Sequence, residues 1–139
     1  MKSILVCLDG SERAPKVLAE GIALAERSKA KLHLFRSVGL PPEIDQDLIT
    51  RSSVGLLDLL ADRAKSELAE QAKAVPPELL AGSRVRTGVA WDAICHEAEE
   101  LGVDVIVIGS HGYSGLDRLL GTTAAKVVNH ARCSVWVVR

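Results

Sequence analysis

An open, doubly wound parallel sheet of five strands with helices on both faces is the fold class this sequence predicts, and three observations carry it. First, five short runs rich in β-branched and aliphatic residues, each closed by a glycine or polar turn, recur along the chain. Second, the stretches between them show helical spacing of their apolar residues, so strand and helix alternate, the pattern of parallel sheets built from βαβ units. Third, the runs at 4–8 and 103–109 are almost continuously apolar, as expected of strands covered on both faces. Right-handed crossovers restrict the order. If the first three strands run outward one way and the fourth returns beside the first, the order is 3-2-1-4-5, with its switch point between strands one and four.

Ile4 to Leu8 is the first strand, closed by Asp9-Gly10-Ser11, a turn and a helix cap. Val17, Leu18, Gly21, Ile22 and Ala25 then form one stripe of a helix, and Pro15 falls early in it, where proline is best tolerated. Lys31 to Val38 is the second strand, ended by Gly39-Leu40-Pro41-Pro42. From Pro41 to about Arg51 no firm period is visible, so an exposed loop is expected. Leu56, Leu57, Leu60, Ala64, Leu68 and Ala72 hold one face of a helix from about Ser52 to Lys73, and Pro76-Pro77 lies beyond its stop. Arg84 to Val89, more polar, suits an edge strand, where charge discourages further pairing. A helix from Trp91 to Leu101 ends at Gly102, the fourth strand runs from Val103 to Gly109, a last helix from Thr122 to about Ala131, and Ser134 to Arg139 closes the sheet.

The 139 residues suffice for one core, and a single domain over 1–139 is expected. Hydrophobic residues make up 47% and charged residues 25%, a soluble globular balance, and the net charge of -1 argues against a general nucleic-acid or membrane-surface binder. The apolar start ends at Asp9, too soon for a signal peptide or a membrane span, which points to a cytoplasmic protein. Cys7, Cys95 and Cys133 are widely spaced and show no CxxC pairing, so buried structural thiols are expected rather than a disulfide framework or zinc site.

The stretch Val103 to Thr123 holds the chemistry. An aliphatic strand runs into a glycine-spaced loop, and after Gly121-Thr122 the pattern turns helical. Glycines let backbone approach a ligand closely, and a helix start offers free N–H groups and positive dipole to an anion. The strand order brings Asp9, at the end of strand one, opposite Gly109, at the end of strand four. A carboxylate there can accept hydrogen bonds from ribose hydroxyls while Gly109, Gly112 and the Gly121-Thr122-Thr123 amides hold phosphate. The plainer readings are a turn carboxylate and a tight strand-to-helix connection. Two other nucleotide signatures are missing: Thr122 stands where a P-loop requires lysine, and no GxGxxG follows the first strand.

Together, Ile4-Leu5-Val6-Cys7-Leu8-Asp9-Gly10-Ser11, Asp104-Val105-Ile106-Val107-Ile108-Gly109-Ser110-His111-Gly112, and Gly121-Thr122 before the closing Val-rich strand resemble the universal stress protein family over essentially the whole chain. The resemblance implies a five-stranded α/β fold of the order given above, a homodimer joined through the Ser134 to Val138 strand, and in many members a bound ATP or AMP. It points to Asp9 for ribose, to Ser37 at the position whose backbone meets adenine, and to Gly109, Gly112, Gly121, Thr122 and Thr123 for phosphate and ribose. The family's nucleotide-binding pattern is Gly-x2-Gly-x9-Gly-Ser/Thr. Here eight residues, Tyr113 to Leu120, separate Gly112 from Gly121, so the loop is one residue short. Cys7 stands where the family often has proline and Ser37 where it often has valine.

His111, Arg118 and Lys126 lie where they can neutralise phosphate, and Mg2+ can be held by a triphosphate together with Thr122 or Thr123. The four histidines show no metal-ligand spacing. Catalysis needs a nucleophile, a base and charge stabilisation, and only the last is visible. An exposed Trp136 and valine edge calls for pairing with a second copy. Three functions compete: an adenine-nucleotide-binding dimer acting in stress response, whose occupancy alters a surface for an unknown protein partner; a dimeric interaction protein of the same fold that binds no nucleotide; and, with the least support in the residues, an enzyme using ATP, of at most weak hydrolysis.

Overall fold

The computed structural model describes residues 1–39, 54–110 and 120–139. The expected loop at 41–51 therefore lies outside the described residues. Five strands, β1 (Ser3–Cys7), β2 (Lys31–Val38), β3 (Leu80–Thr87), β4 (Val105–Gly109) and β5 (Ser134–Val138), form one parallel sheet of order β3-β2-β1-β4-β5. The described helices are α1 (Ala14–Ser28), α2 (Val54–Ala72), α3 (Ala90–Leu101) and α4 (Thr122–His130).

The two-residue period of β1 divides the core. Ile4, Val6 and Leu8 pack with Val17, Leu18 and Ala25 of α1 and Leu68 of α2. Leu5 and Cys7 face the opposite way, with Ile94 and Ala98 of α3 and Val127 of α4. Every residue of β1 after Ser3 is buried, which is why its sequence shows no polar alternation. On the first face the approach is closest at Gly21, where an added Cβ would stand 2.5 Å from Val6 Cγ2.

The helix starts differ from the simplest reading of the sequence. The N-cap of α1 is Arg13, without a side-chain cap, and Pro15 occupies the first turn. Ser11 belongs to the preceding turn, where its carbonyl accepts from the Ala14 amide at 3.2 Å. At the other end of α3, Gly102 takes the left-handed conformation, φ 63°, and its amide closes on the Ala98 and Glu99 carbonyls.

Strand β3 begins at Leu80, ahead of the apolar pattern. Gly82 and Ser83 carry no strand signal, but they pair with His33 and Leu34 of β2 after a register shift that leaves Ala81 without a partner in the ladder. The strand also stops before Val89, because Gly88, at φ 139°, turns the chain and Val89 becomes the N-cap of α3. As expected, β3 lies at an edge. Its arginines bend onto α3: Arg86 Nε lies 2.6 Å and Arg84 Nε 3.4 Å from the carboxylate of Glu97, which is buried. Strand β4 starts two residues later than its valine run. The Val103 amide completes the end of α3 by donating to the Ala98 carbonyl, and Asp104 accepts the amides of Lys2 (2.6 Å) and Ser3 (3.0 Å).

Candidate functional site: the crevice at the switch point

Parallel strands end on one side of their sheet, and the register decides what meets there. Val6 pairs with Val107 and Cys7 with Phe35. Gly109 is thus two residues beyond a rung shared with β1, Asp9 three beyond the same rung, and Ser37 two beyond the rung that joins β1 to β2. All three reach the carboxyl ends of the strands at the topological switch point, where open α/β sheets place ligands.

The first wall is the turn after β1. The Leu8 amide still donates to the Phe35 carbonyl at 2.9 Å, and beyond it the chain leaves the sheet. Asp9 is half-buried. Its Oδ1 accepts the Ser11 amide at 2.9 Å and the Ser11 hydroxyl at 2.6 Å. Both bonds fall on one oxygen, and among the described residues none reaches Oδ2. Ser37, also half-buried, pairs in the ladder with Arg86.

The second wall is the end of β4 and the start of α4. Gly109 pairs with Val138 of β5. Ser110, buried, donates its amide to the Val138 carbonyl and accepts the Gly121 amide on its own carbonyl, both at 2.7 Å. The first bond ties the end of β4 to β5, and the second ties it to the start of α4. Gly121 is the N-cap of α4, in extended conformation (φ −61°, ψ 161°), with no side-chain cap and no acidic residue in the first turn. Its carbonyl accepts the Ala125 amide at 2.9 Å. The first-turn amides, those of Thr122 and Thr123 among them, have no acceptor within a helix by geometry. An uncapped start suits an anion, favoured by those donors and by the helix dipole, whose effect is typically about 0.3–1 kcal/mol near the surface.

Asp9, Ser37, Gly109, Gly121, Thr122 and Thr123 thus lie at one end of the sheet. Gly112, His111 and Arg118 lie outside the described residues. Lys126, considered for phosphate, instead holds Nζ 5.6 Å from the centroid of the Trp91 ring. Trp91 also meets His130, with ring centroids 4.5 Å apart. His96 and His130 each engage Nδ1 with the carbonyl four residues earlier. His33 is pushed below the ordinary histidine range by burial, an effect that the Glu97 charge opposes. Among the described residues no group of three or more His, Cys, Asp or Glu side chains could hold a metal ion.

Cys7, the last residue of β1, is buried two positions before Asp9. Burial drives its thiol far above the ordinary range, with smaller pushes from Cys95, Cys133 and Glu97. Such a thiol is inert as a nucleophile. Sequence reasoning treated Ser11 only as a helix cap and did not single out Ser110. The Asp-x-Ser spacing is a usable sign of the first, since an aspartate commonly accepts the amide two residues on. The role of Ser110 lies in backbone bonds and left no sign in its side chain.

A single open parallel sheet of order β3-β2-β1-β4-β5, with a carboxylate and an uncapped helix start beyond the carboxyl ends of its central strands, defines the class as a doubly wound α/β protein. The family model described as "Universal stress protein family" matches residues 1–139, and this chain belongs to that family. It is 31% identical to universal stress protein A homolog 2 of Coxiella burnetii over 142 residues, covering 99% of this chain and 94% of that protein. Among solved structures it is similar to the universal stress protein UspA from Lactobacillus plantarum, with 26% identity, a TM-score of 0.83 and coverage of 99% and 97%. A universal stress protein solved in complex with cAMP shares the fold, at 24% identity and a TM-score of 0.70, with coverage of 99% and 97%. Among the described residues no helix is long and apolar enough to cross a membrane.

Proposed function

We propose that this universal stress protein binds an adenine nucleotide, ATP or AMP, in the crevice between strands β1 and β4. The observation that carries this reading is the pairing of two complementary walls: a half-buried Asp9 carboxylate, which only accepts, and the uncapped α4 start, which only donates. A ligand matching both must present donors at one end and an anion a short distance away. A ribose phosphate does so. The cAMP complex of a protein sharing this fold supports the adenine nucleotide as the class. In this assignment Asp9 takes ribose hydroxyls and the backbone at Ser37 meets adenine. Gly109, Gly112, Gly121, Thr122 and Thr123 take phosphate, and a triphosphate brings Mg2+ to Thr122 or Thr123.

The protein is proposed to act as one domain over 1–139, in the cytoplasm, in stress response, binding neither nucleic acid nor membrane. Occupancy alters a surface read by a protein partner. Trp136 is 44% exposed on the edge strand β5, and pairing Ser134 to Val138 with the same strand of a second copy covers it. A monomeric mass at micromolar concentration in sedimentation contradicts that dimer. The shortened Gly112 to Gly121 loop favours a second reading, a dimeric interaction protein that has lost the nucleotide. Calorimetry with ATP, ADP, AMP and cAMP separates the two: saturable heat with at least one, abolished by a bulky residue at Gly112, supports the first, and no heat with any supports the second.

A further inference from the structure

The Asp9 carboxylate is anchored by the residue two positions on, and the way it is anchored assigns a role to that residue. The Ser11 hydroxyl donates to Asp9 Oδ1 at 2.6 Å, and Ser11 Oγ in turn accepts the amide of Arg13, the N-cap of α1, at 3.3 Å. The Ser11 amide donates to Oδ1 as well, at 2.9 Å. One side chain therefore links the carboxylate to the start of α1, and α1 is itself packed on β1 through Ala14, Val17 and Leu18. Two donors on Oδ1 fix the plane of the carboxylate and leave Oδ2 as the oxygen without a partner among the described residues. An ionised carboxylate accepts only, so Oδ2 selects a ligand group that donates and repels one that carries phosphate.

We propose that Ser11 is a positioning residue: its hydroxyl orients Asp9 so that Oδ2 accepts the vicinal hydroxyls of a ribose, which makes the site select ribonucleotides over deoxygenated sugars. This rests on the nucleotide reading given above and adds to it the determinant of sugar recognition. Losing the hydroxyl removes one of the two bonds on Oδ1 and frees the carboxylate to rotate about its remaining amide contact. Hydrogen bonds to charged groups typically support about a tenfold difference in an equilibrium constant or more.

The test is calorimetry of the full chain with ATP and with 2′,3′-dideoxy-ATP, for wild type, Ser11→Ala and Ser11→Thr, with thermal unfolding run beside it to register any loss of fold. The expected result is that Ser11→Ala weakens ATP about tenfold, leaves the dideoxy nucleotide within about twofold of wild type, and that Ser11→Thr, which keeps the hydroxyl, restores ATP. A merely structural serine would weaken both nucleotides alike, and that outcome, or an unchanged ATP affinity in Ser11→Ala, overturns the positioning role while leaving the nucleotide site standing. Wild-type protein that binds neither nucleotide overturns the nucleotide reading itself, and the positioning role with it.

Discussion

Replacing Gly21 by alanine tests whether α1 is seated on the central strand as described. A Cβ at Gly21 would lie 2.5 Å from Val6 Cγ2 and 3.3 Å from Cγ1, whereas carbon atoms in contact prefer about 3.5–4.0 Å. Val6 cannot yield easily: it is fully buried on β1, between β2 and β4, and a β-branched side chain is stiff at χ1. The helix must lift by roughly 1 Å to restore contact distance. Overpacking of this kind costs about 1–3 kcal/mol, and the better helix propensity of alanine offsets about 1 kcal/mol of it. The net expectation is a loss of up to about 2 kcal/mol, with a fall in Tm of roughly 4 °C per kcal/mol for a chain of this size. Gly55 of α2 is the control, because a Cβ there meets nothing within 4 Å and Gly55→Ala should gain up to about 1 kcal/mol. Urea unfolding followed by circular dichroism, with equal m values, reads both. A Gly21→Ala protein that gains stability as Gly55→Ala does would refute the seating of α1.

Three other outcomes follow from the packing and charge of the fold. Arg86→Met should lower the urea midpoint, and Arg84→Met should lower it by clearly less, since Arg86 lies closer to buried Glu97 and is itself less exposed; equal losses would contradict that ranking. The amides of Lys2 and Ser3 hold the Asp104 carboxyl below its ordinary value, and the Arg36 hydrogen bond does the same for Glu67. A depressed folded value means that this stabilisation is present above the usual carboxylate range and is lost as pH falls through the folded value. The urea midpoint should therefore drop between pH 6 and pH 3, and drop less in Asp104→Asn; an identical drop in the variant would remove Asp104 from the account. Native Cys7, buried with its thiol pushed up, should react with a disulfide reagent only as fast as the protein opens, and half-buried Cys133 ahead of it; mass spectrometry showing Cys7 labelled first would contradict its burial.

Much of this was legible in the sequence because parallel strands advertise themselves. The unbroken apolar runs of β1 and β4 exist because both faces of the central strands are covered, and the strand order follows from their alternation with helices and the handedness of the crossovers. That order alone predicted Asp9 beside Gly109, residues far apart in the chain. Backbone-determined features were hidden. The first half of β3 is held by pairing with β2 through Leu80, Gly82 and Ser83, and Gly82 and Ser83 carry no strand pattern in their side chains. Ser110 ties β5 to the start of α4 through its amide and carbonyl. Gly21 looked like one more apolar position on a helix stripe, and its reason, the nearness of Val6, is tertiary. Lys126 lies in sequence near the start of α4, and its ammonium stands over Trp91.

The central claim is that one adenine nucleotide bridges the turn after β1 and the start of α4. Amide chemical-shift mapping on isotope-labelled protein titrated with AMP and ATP tests it most directly. The account predicts saturable shifts confined to one cluster, the amides of Ser11, Ser37, Gly109, Thr122 and Thr123, with those of Lys2, Ser3 and the outer face of α2 unmoved. Shifts centred on any other surface, or none at millimolar nucleotide, would contradict it.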